Sequence, residues 1–228
     1  MSDAAVTQSG STIRRVSLHF ADLSVDVPSH VCLFYSNDDE LRERLVFLAK
    51  TLDDPEQVAV LFGKRERLEQ ILGYIAADHG RDVQADLAAG RIVLVNGARD
   101  ANALLGGIAA ALDGIVARGA TLIRFLGFIG WGDMDWPATE DLMTFEAKVT
   151  EAVKSYPAVV VCTYNVEQLP GSVLIFAGIE THPITILGTT LCENPHYVPF
   201  AEYIERRARP SRSERERNLG GVKVGRIA

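Results

Sequence analysis

Long apolar runs are missing from this chain. No stretch approaches the roughly 18 or more consecutive apolar residues that a membrane-crossing helix requires, and the polar segment 1–15 has no apolar core of the kind that marks a secretory signal. Cysteine is scarce. Three residues, Cys32, Cys162 and Cys192, are too few and odd in number for a disulfide framework. Positive charge is in deficit as well, at a net −7. That balance argues against non-specific binding of nucleic acid or anionic membrane by the whole surface. These absences predict a soluble, reduced, cytoplasmic protein.

Phosphate-binding loops are also absent. The Gly-Lys pair at Gly63-Lys64 is followed by Arg65 rather than Ser or Thr, and Val58 stands where the leading glycine of a P-loop belongs. The turn at 36–40 has no glycine and carries Asp38, Asp39 and Glu40, which would repel phosphate at a helix start. Gly127-x-x-Gly130-x-Gly132 lacks the spacing of a dinucleotide fingerprint.

What is present is a regular alternation. With 47% apolar and 23% charged residues, the 228-residue chain can build one sizeable core. Short continuous apolar runs at 31–35, 58–62, 91–95, 121–129, 158–163 and 183–187 suit strands buried on both faces, as in a parallel sheet. Helical spacing falls between them, at 38–52 (Leu41, Leu45, Leu48, Leu52), 64–79 (Leu68, Ile71, Leu72, Ile75), 101–118 and 139–155, with a short buried helix at 173–179. Asp38 or Asp39 can cap the first helix, and Gly80 can end the second. The pattern predicts an α/β fold with three layers and a mostly parallel central sheet. One domain is expected over 15–205, with a weakly alternating 15–27 stretch adding an edge strand. Segment 1–14 is expected to be disordered. Segment 206–228 holds eight bases and two acids, a charge of +6 against −13 for the rest, and reads as a basic disordered tail. Such a tail either solubilises the chain or serves as a docking arm. Ligands of such sheets bind at the carboxyl ends of the strands.

Several residues stand out chemically. His30 and Cys32 flank Val31 and so point to one side of a strand. Cys162, His182, Cys192 and His196 follow on later strands and loops, but without the close paired spacing of a metal motif. They are therefore expected to be structural, with no metal or cofactor assigned. Both tryptophans, Trp131 and Trp136, lie in a glycine-rich loop, where they suit either a pocket for a small flat molecule or a covered sheet end. Arg124 sits inside an apolar strand and needs an anion, for which Glu146 on the following helix is the candidate.

These residues carry a family resemblance. His30-Val31-Cys32-Leu33-Phe34-Tyr35, Arg124-x-x-Gly127-x-x-x-Trp131, Phe145-Glu146, Val161-Cys162-Thr163-Tyr164, His182-Pro183 and Asn194-Pro195-His196-Tyr197-Val198-Pro199, in this order, resemble the MEDS domain, a sensory domain of methanogen and methylotroph regulators and of a dichloromethane-responsive repressor. The resemblance implies a RecA-like core without its phosphate-binding loop and a role in sensing a small apolar or hydrocarbon-derived ligand. Where the family often has an acid after the glycine of Arg-x-x-Gly, Phe128 stands here. Neither terminal segment reads as a helix-turn-helix, so no direct DNA binding and no membrane contact are expected. Output is expected through a protein partner, by family analogy one of a stress-signalling or sigma-factor pathway. The expected ligand-lining set is His30, Cys32, Tyr35, Arg124, Trp131, Glu146, Tyr164, His182 and Asn194, and no residue is expected to be catalytic. The alternative is a cysteine- or metal-dependent enzyme on the same core.

The missing phosphate loop makes the first prediction. With ATP or GTP and Mg²⁺, the protein should release no phosphate above a protein-free blank. Turnover that disappears on changing Asp38 or Lys64 would overturn this.

Overall fold

The computed structural model describes residues 14–208; the expectations for 1–13 and 209–228 lie outside it. A central seven-stranded sheet is built from β3 (Ser29–Tyr35), β4 (Gln57–Gly63), β5 (Ile92–Asn96), β6 (Leu122–Gly127), β7 (Ala158–Asn165), β8 (Ile184–Leu187) and β9 (Thr190–Glu193), in the order β5-β4-β6-β7-β3-β8-β9. Every pairing is parallel except the last, where β8 and β9 form an antiparallel hairpin. Helices cover both faces. The expected three-layer, mostly parallel α/β class is the one observed. No helix among the described residues is long and apolar enough to cross a membrane.

Side-chain alternation divides the core. Val31 and Leu33 of β3, Ala59 and Leu61 of β4, Leu122 and Leu126 of β6, and Val159 and Val161 of β7 face one layer. That layer contains α1 (Asp38–Arg44), α2 (Val46–Ala49), the 3₁₀ turn Lys50–Asp53, α3 (Arg65–His79) and α4 (Val83–Ala88). Cys32, Val60, Phe62, Ile123, Phe125, Val160, Cys162 and Tyr164 face the other, which is formed by α5 (Ala101–Ala117), α6 (Thr139–Val153), α7 (Gly171–Val173) with the π-helical turn Leu174–Ile179, and α8 (Phe200–Ala208).

Several local expectations change. The 38–52 helix is divided at Leu45 into α1, α2 and the 3₁₀ turn. Its cap is Asn37, whose side chain accepts from the Glu40 amide at 3.0 Å, while Glu40 accepts from the Ser36 amide at 2.9 Å. The helix start is thus closed by its own side chains. Gly80 ends α3 in the left-handed region at φ 62°, as its lack of a Cβ allows. The 15–27 stretch is not an edge strand. It forms a separate antiparallel ribbon of β1 (Arg14–Ser17) and β2 (Ser24–Val27), because Val16, Leu18, Phe20 and Val25 pack inward onto the first layer while β5 and β9 hold the sheet edges. The boundary at 205 falls inside α8. Tyr203, fully buried, donates from its hydroxyl to the Phe176 carbonyl at 2.8 Å, and Arg207 lies over the Phe176 and Tyr203 rings.

The expected Arg124–Glu146 pair does not form. Arg124 alternates onto the first layer, whereas Glu146 belongs to α6 on the second, so the sheet lies between them. The Arg124 guanidinium donates to the Ser17 carbonyl at 2.7 Å, lies 3.3 Å from His19 Nε2 and stacks 5.2 Å from the Phe47 ring centre. Burial and the nearby Arg14 push its pKa down to about 10, still charged at neutral pH. It fastens the β1–β2 ribbon to the sheet.

This placement makes a double-mutant prediction. Arg124→Met leaves the Ser17 carbonyl without its donor, a loss of about 1–3 kcal/mol. With no shared partner, Arg124→Met and Glu146→Gln should add to within about 0.5 kcal/mol in denaturant unfolding. A larger coupling would refute the separation of the two residues.

Candidate functional site

The parallel register of β3 and β7 sets Cys32 opposite Cys162 and His30 opposite Val160. Because alternate residues share a face, His30 and Cys32 of β3 join Cys162 and Tyr164 of β7 beneath the second helical layer. Helix α6 crosses above them. Its apolar stripe (Leu142, Phe145, Val153) is interrupted by Glu146 and Thr150, which are spaced i,i+4 and so lie one above the other on the buried side. His182 enters from the segment between the π-helical turn and β8. All these side chains are buried, Glu146 and His182 at 0% exposure.

The four groups at the centre converge closely. One ligand atom from each of His30, Glu146, Cys162 and His182 lies within 4.8 Å of the others. Glu146 Oε2 is 3.5 Å from His30 Nε2 and 3.8 Å from His182 Nε2. Cys162 Sγ is 3.3 Å from His30 Nε2 and 3.6 Å from Glu146 Oε2. Tyr164 donates from its hydroxyl to Glu146 Oε1 at 2.8 Å. The two imidazoles stack with ring centres 3.9 Å apart.

The outer hydrogen bonds set the tautomers. Thr150 donates its hydroxyl proton to the Thr181 carbonyl at 2.7 Å, so its oxygen accepts from His30 Nδ1–H, also at 2.7 Å. Thr181 likewise donates to the Ala177 carbonyl. His182 Nδ1 lies 3.0 Å from Thr181 Oγ1 and 3.2 Å from the Ala177 carbonyl, and with both oxygens accepting it is the donor. Each ring therefore presents an unprotonated Nε2 to Glu146. Burial pushes both imidazoles down to about 3, with His30 adding to the effect on His182, so both are neutral at physiological pH. Burial pushes the Glu146 carboxyl up, and desolvation together with the Glu146 charge raises the Cys32 and Cys162 thiols.

Two cavities flank this region. One, of about 600 Å³, lies at the carboxyl ends of β3, β4, β6 and β7 and is lined by Tyr35, Asp38, Lys64, Arg67, Phe128 and Asn165, among others. Its cations are matched by acids, Arg67 with Asp38 at 2.8 Å and Lys64 with Asp133 at 2.7 Å. The other, of about 270 Å³, lies between α5 and α6 against the sheet and is lined mainly by apolar side chains, including Phe62, Leu105, Ile108, Leu112, Phe145 and Cys162.

The structure thus distributes the expected site residues unequally. His30, Cys32, Glu146, Tyr164 and His182 come together. Trp131 packs against the Tyr164 ring at 6.1 Å between centres, and Asn194 braces the cluster indirectly by donating to the Ile179 and His182 carbonyls at 2.6 and 2.7 Å. Tyr35 lines the strand-end cleft instead, and Arg124 lies on the other side of the sheet. Trp136 is core. It packs edge-on to Phe62 at 5.3 Å and covers Gly97 and Gly130 so closely that a Cβ at either would enter its ring. Sequence reasoning missed Thr150 and Thr181, and it weighed Cys162 only for the alternative cysteine- or metal-dependent reading, outside the ligand-lining set. The signals for Cys162 were its place among the cysteines and histidines, the Val161-Cys162-Thr163-Tyr164 stretch and its alternation with Tyr164 on one strand.

The fold is thus a mostly parallel α/β sheet with a buried polar cluster gathered under one helical layer and a strand-end turn closed by its own side chains. The family model MEDS, described as the MEthanogen/methylotroph, DcmR Sensory domain, matches residues 29–183, and the chain belongs to this family. Among curated proteins none matches the chain.

Thiol reactivity tests the enclosure. In the folded protein Cys192, which is exposed, should alkylate readily, while Cys32 and Cys162 should react only on unfolding, because the thiolate is the reactive form and burial disfavours it. Peptide mass mapping after timed iodoacetamide treatment reads this out. Fast labelling of Cys162 would contradict it.

Proposed function

We propose that this MEDS domain is a non-catalytic receptor for a small apolar molecule, a hydrocarbon derivative, held between α5 and α6 and read out through a protein partner. The observation that carries this reading is the apolar cavity of about 270 Å³ whose inner wall includes Cys162, a member of the buried polar cluster. Dry cavities of about 150 Å³ lined by Leu, Ile and Phe accept benzene, so this one has room for a ring or a short alkyl derivative. The strand-end cleft is less suited to an apolar ligand. Its walls carry charges that already neutralise one another, and burying them against hydrocarbon would cost their hydration.

A route outward supports the signalling half. His182 donates to the Ala177 carbonyl inside the π-helical turn, and irregular turns of this kind recur at functional sites. On the outer side of the same turn Ile175 and Phe176 are exposed, at 50% and 39%, and offer an apolar contact for a partner. The partner's pathway, of the stress-signalling or sigma-factor kind, rests on family analogy alone.

The test is a thermal-shift series with dichloromethane, benzene and short alcohols, on the native chain and on Ala109→Phe, which puts a ring into the cavity. A ligand at a hundred times its Kd adds about 2.7 kcal/mol, or roughly 5–10 °C in Tm for a domain of this size. The native chain should show such a rise with at least one apolar compound, and Ala109→Phe should lose it while still unfolding cooperatively. No rise with any compound, or a rise that persists in Ala109→Phe, would overturn the assignment.

A further inference from the structure

We infer that His30, Glu146, Cys162 and His182 form a four-coordinate site for a divalent transition metal, with zinc the best match. The assignment does not depend on what occupies the neighbouring apolar cavity.

Geometry is the first ground. In a tetrahedral zinc site with Zn–N and Zn–O of about 2.0–2.2 Å and Zn–S of about 2.3 Å, neighbouring ligand atoms sit about 3.3–3.6 Å apart. The separations here are 3.3 Å (Cys162 Sγ to His30 Nε2), 3.5 Å (His30 Nε2 to Glu146 Oε2), 3.6 Å (Cys162 Sγ to Glu146 Oε2) and 3.8 Å (His182 Nε2 to Glu146 Oε2). Four of the six edges of a coordination shell are thus close to their tetrahedral lengths, and the two from His182 Nε2 to His30 and Cys162 lie within 4.8 Å, so a small shift of the His182 ring closes the shell.

The second ground is an unpaired atom. His182 Nε2 is fully buried, points at Glu146, and has no hydrogen-bond partner among the described residues. A buried polar atom left alone is costly. The tautomers make the deficit specific. Both Nδ1 atoms donate outward, so two imidazole lone pairs and a carboxylate oxygen face one another. A proton on Cys162, or on Glu146, does not relieve His182 Nε2, which at 3.8 Å from Glu146 Oε2 is beyond hydrogen-bond reach. A cation at the centre would satisfy all of these acceptors.

Charge balance is the third ground. Two neutral imidazoles, one thiolate and one carboxylate bring −2, which a divalent ion cancels. A neutral assembly is the form such a group can take at 0–4% exposure, since an uncompensated charge there would be strongly disfavoured. Metal binding would release the Cys162 proton to solvent. The mixed N, O and S donors favour zinc over magnesium or calcium, which take oxygen. Thr150 and Thr181 act as positioning residues, holding the two rings by Nδ1 as outer-shell partners of zinc histidines do.

The experiment uses the full chain. Protein purified without chelator should carry about one zinc per chain by elemental analysis. After stripping, Co²⁺ alone should bind one equivalent, with a thiolate-to-cobalt charge-transfer band and the strong visible bands of a four-coordinate ion. X-ray absorption of the native zinc form should give one sulfur and three nitrogen or oxygen neighbours. Cys162→Ser should abolish the charge-transfer band while Cys192→Ser keeps it, and Thr150→Val should weaken metal affinity by about 10–100-fold. If Cys162→Ser does not fold, the sulfur count in the native protein decides. Less than about a tenth of an equivalent bound, or a metal shell without sulfur, would overturn the site and leave Glu146 as a protonated core carboxyl.

Discussion

A carboxylate with no access to water governs the organisation of this protein. Glu146 is fully enclosed, and an isolated charge in such a place would be disfavoured by far more than the net stability of a domain. The group must be neutralised, by a proton or by a cation, and every element around it contributes to one or the other. Tyr164 donates to one oxygen, while Cys162, His30 and His182 crowd the other. The parallel pairing of β3 with β7 brings the first three of these partners onto one face. The segment after the π-helical turn brings the fourth. Loosening any of these elements would expose or orphan the carboxyl, so the second layer is held to one arrangement by polar satisfaction as much as by packing.

The two faces of the sheet have consequently diverged in role. On the first, α3 and the β1–β2 ribbon cover aliphatic side chains, and the buried guanidinium of Arg124 fastens the ribbon through a backbone carbonyl and an aromatic face. On the second, polar chemistry lies in mid-sheet rather than at the strand ends. The strand-end turn after β3 is occupied by Asn37 and Glu40 acting on their own helix. With that turn closed, the fold's usual ligand crevice remains as a cleft of internally paired charges, and the spaces with chemical character lie under α5 and α6.

Periodicity made the fold legible. Runs such as 158–163 and stripes such as Leu68, Ile71, Leu72 and Ile75 place strands and helices where they occur, because burial on two faces or on one leaves a period that local sequence records. The 183–187 run is found as β8, but the ribbon and β9 were harder to read. Their short strands differ from loops mainly in what they pack against. The site was legible only in its membership. His30 and Cys32 share a strand face by alternation alone, but Glu146, Cys162 and His182 lie 116, 16 and 20 positions apart in succession from His30, and only the sheet register and the crossing of α6 bring them within reach. The Arg124–Glu146 expectation failed for the same reason. Both residues are buried and opposite in charge, yet which face each occupies depends on strand phase and on which side the crossover helix packs, and pairing by charge ignores both.

Cys162 occupies a position that joins the two chemical features of this domain. Its sulfur lies in the shell of the Glu146 cluster, and its side chain forms part of the wall of the apolar cavity. On the proposed reading, two binding events share this residue and are therefore coupled. If an apolar guest shifts the Cys162 side chain, it changes the energy of whatever neutralises Glu146, and by linkage the occupant of the cluster changes the guest's affinity by the same factor. A displacement of a few tenths of an ångström is enough to matter, because metal–sulfur and hydrogen-bond energies vary steeply over such distances while apolar contacts do not. In the proposed receptor this arrangement would convert a weak, shape-based contact into a change at a stiff polar centre. From there His182 leads by one hydrogen bond into the π-helical turn, whose outer side carries Ile175 and Phe176 at the surface. A sensor for a molecule with few polar groups needs some such converter, since hydrocarbon alone offers no hydrogen bond with which to pull on a helix.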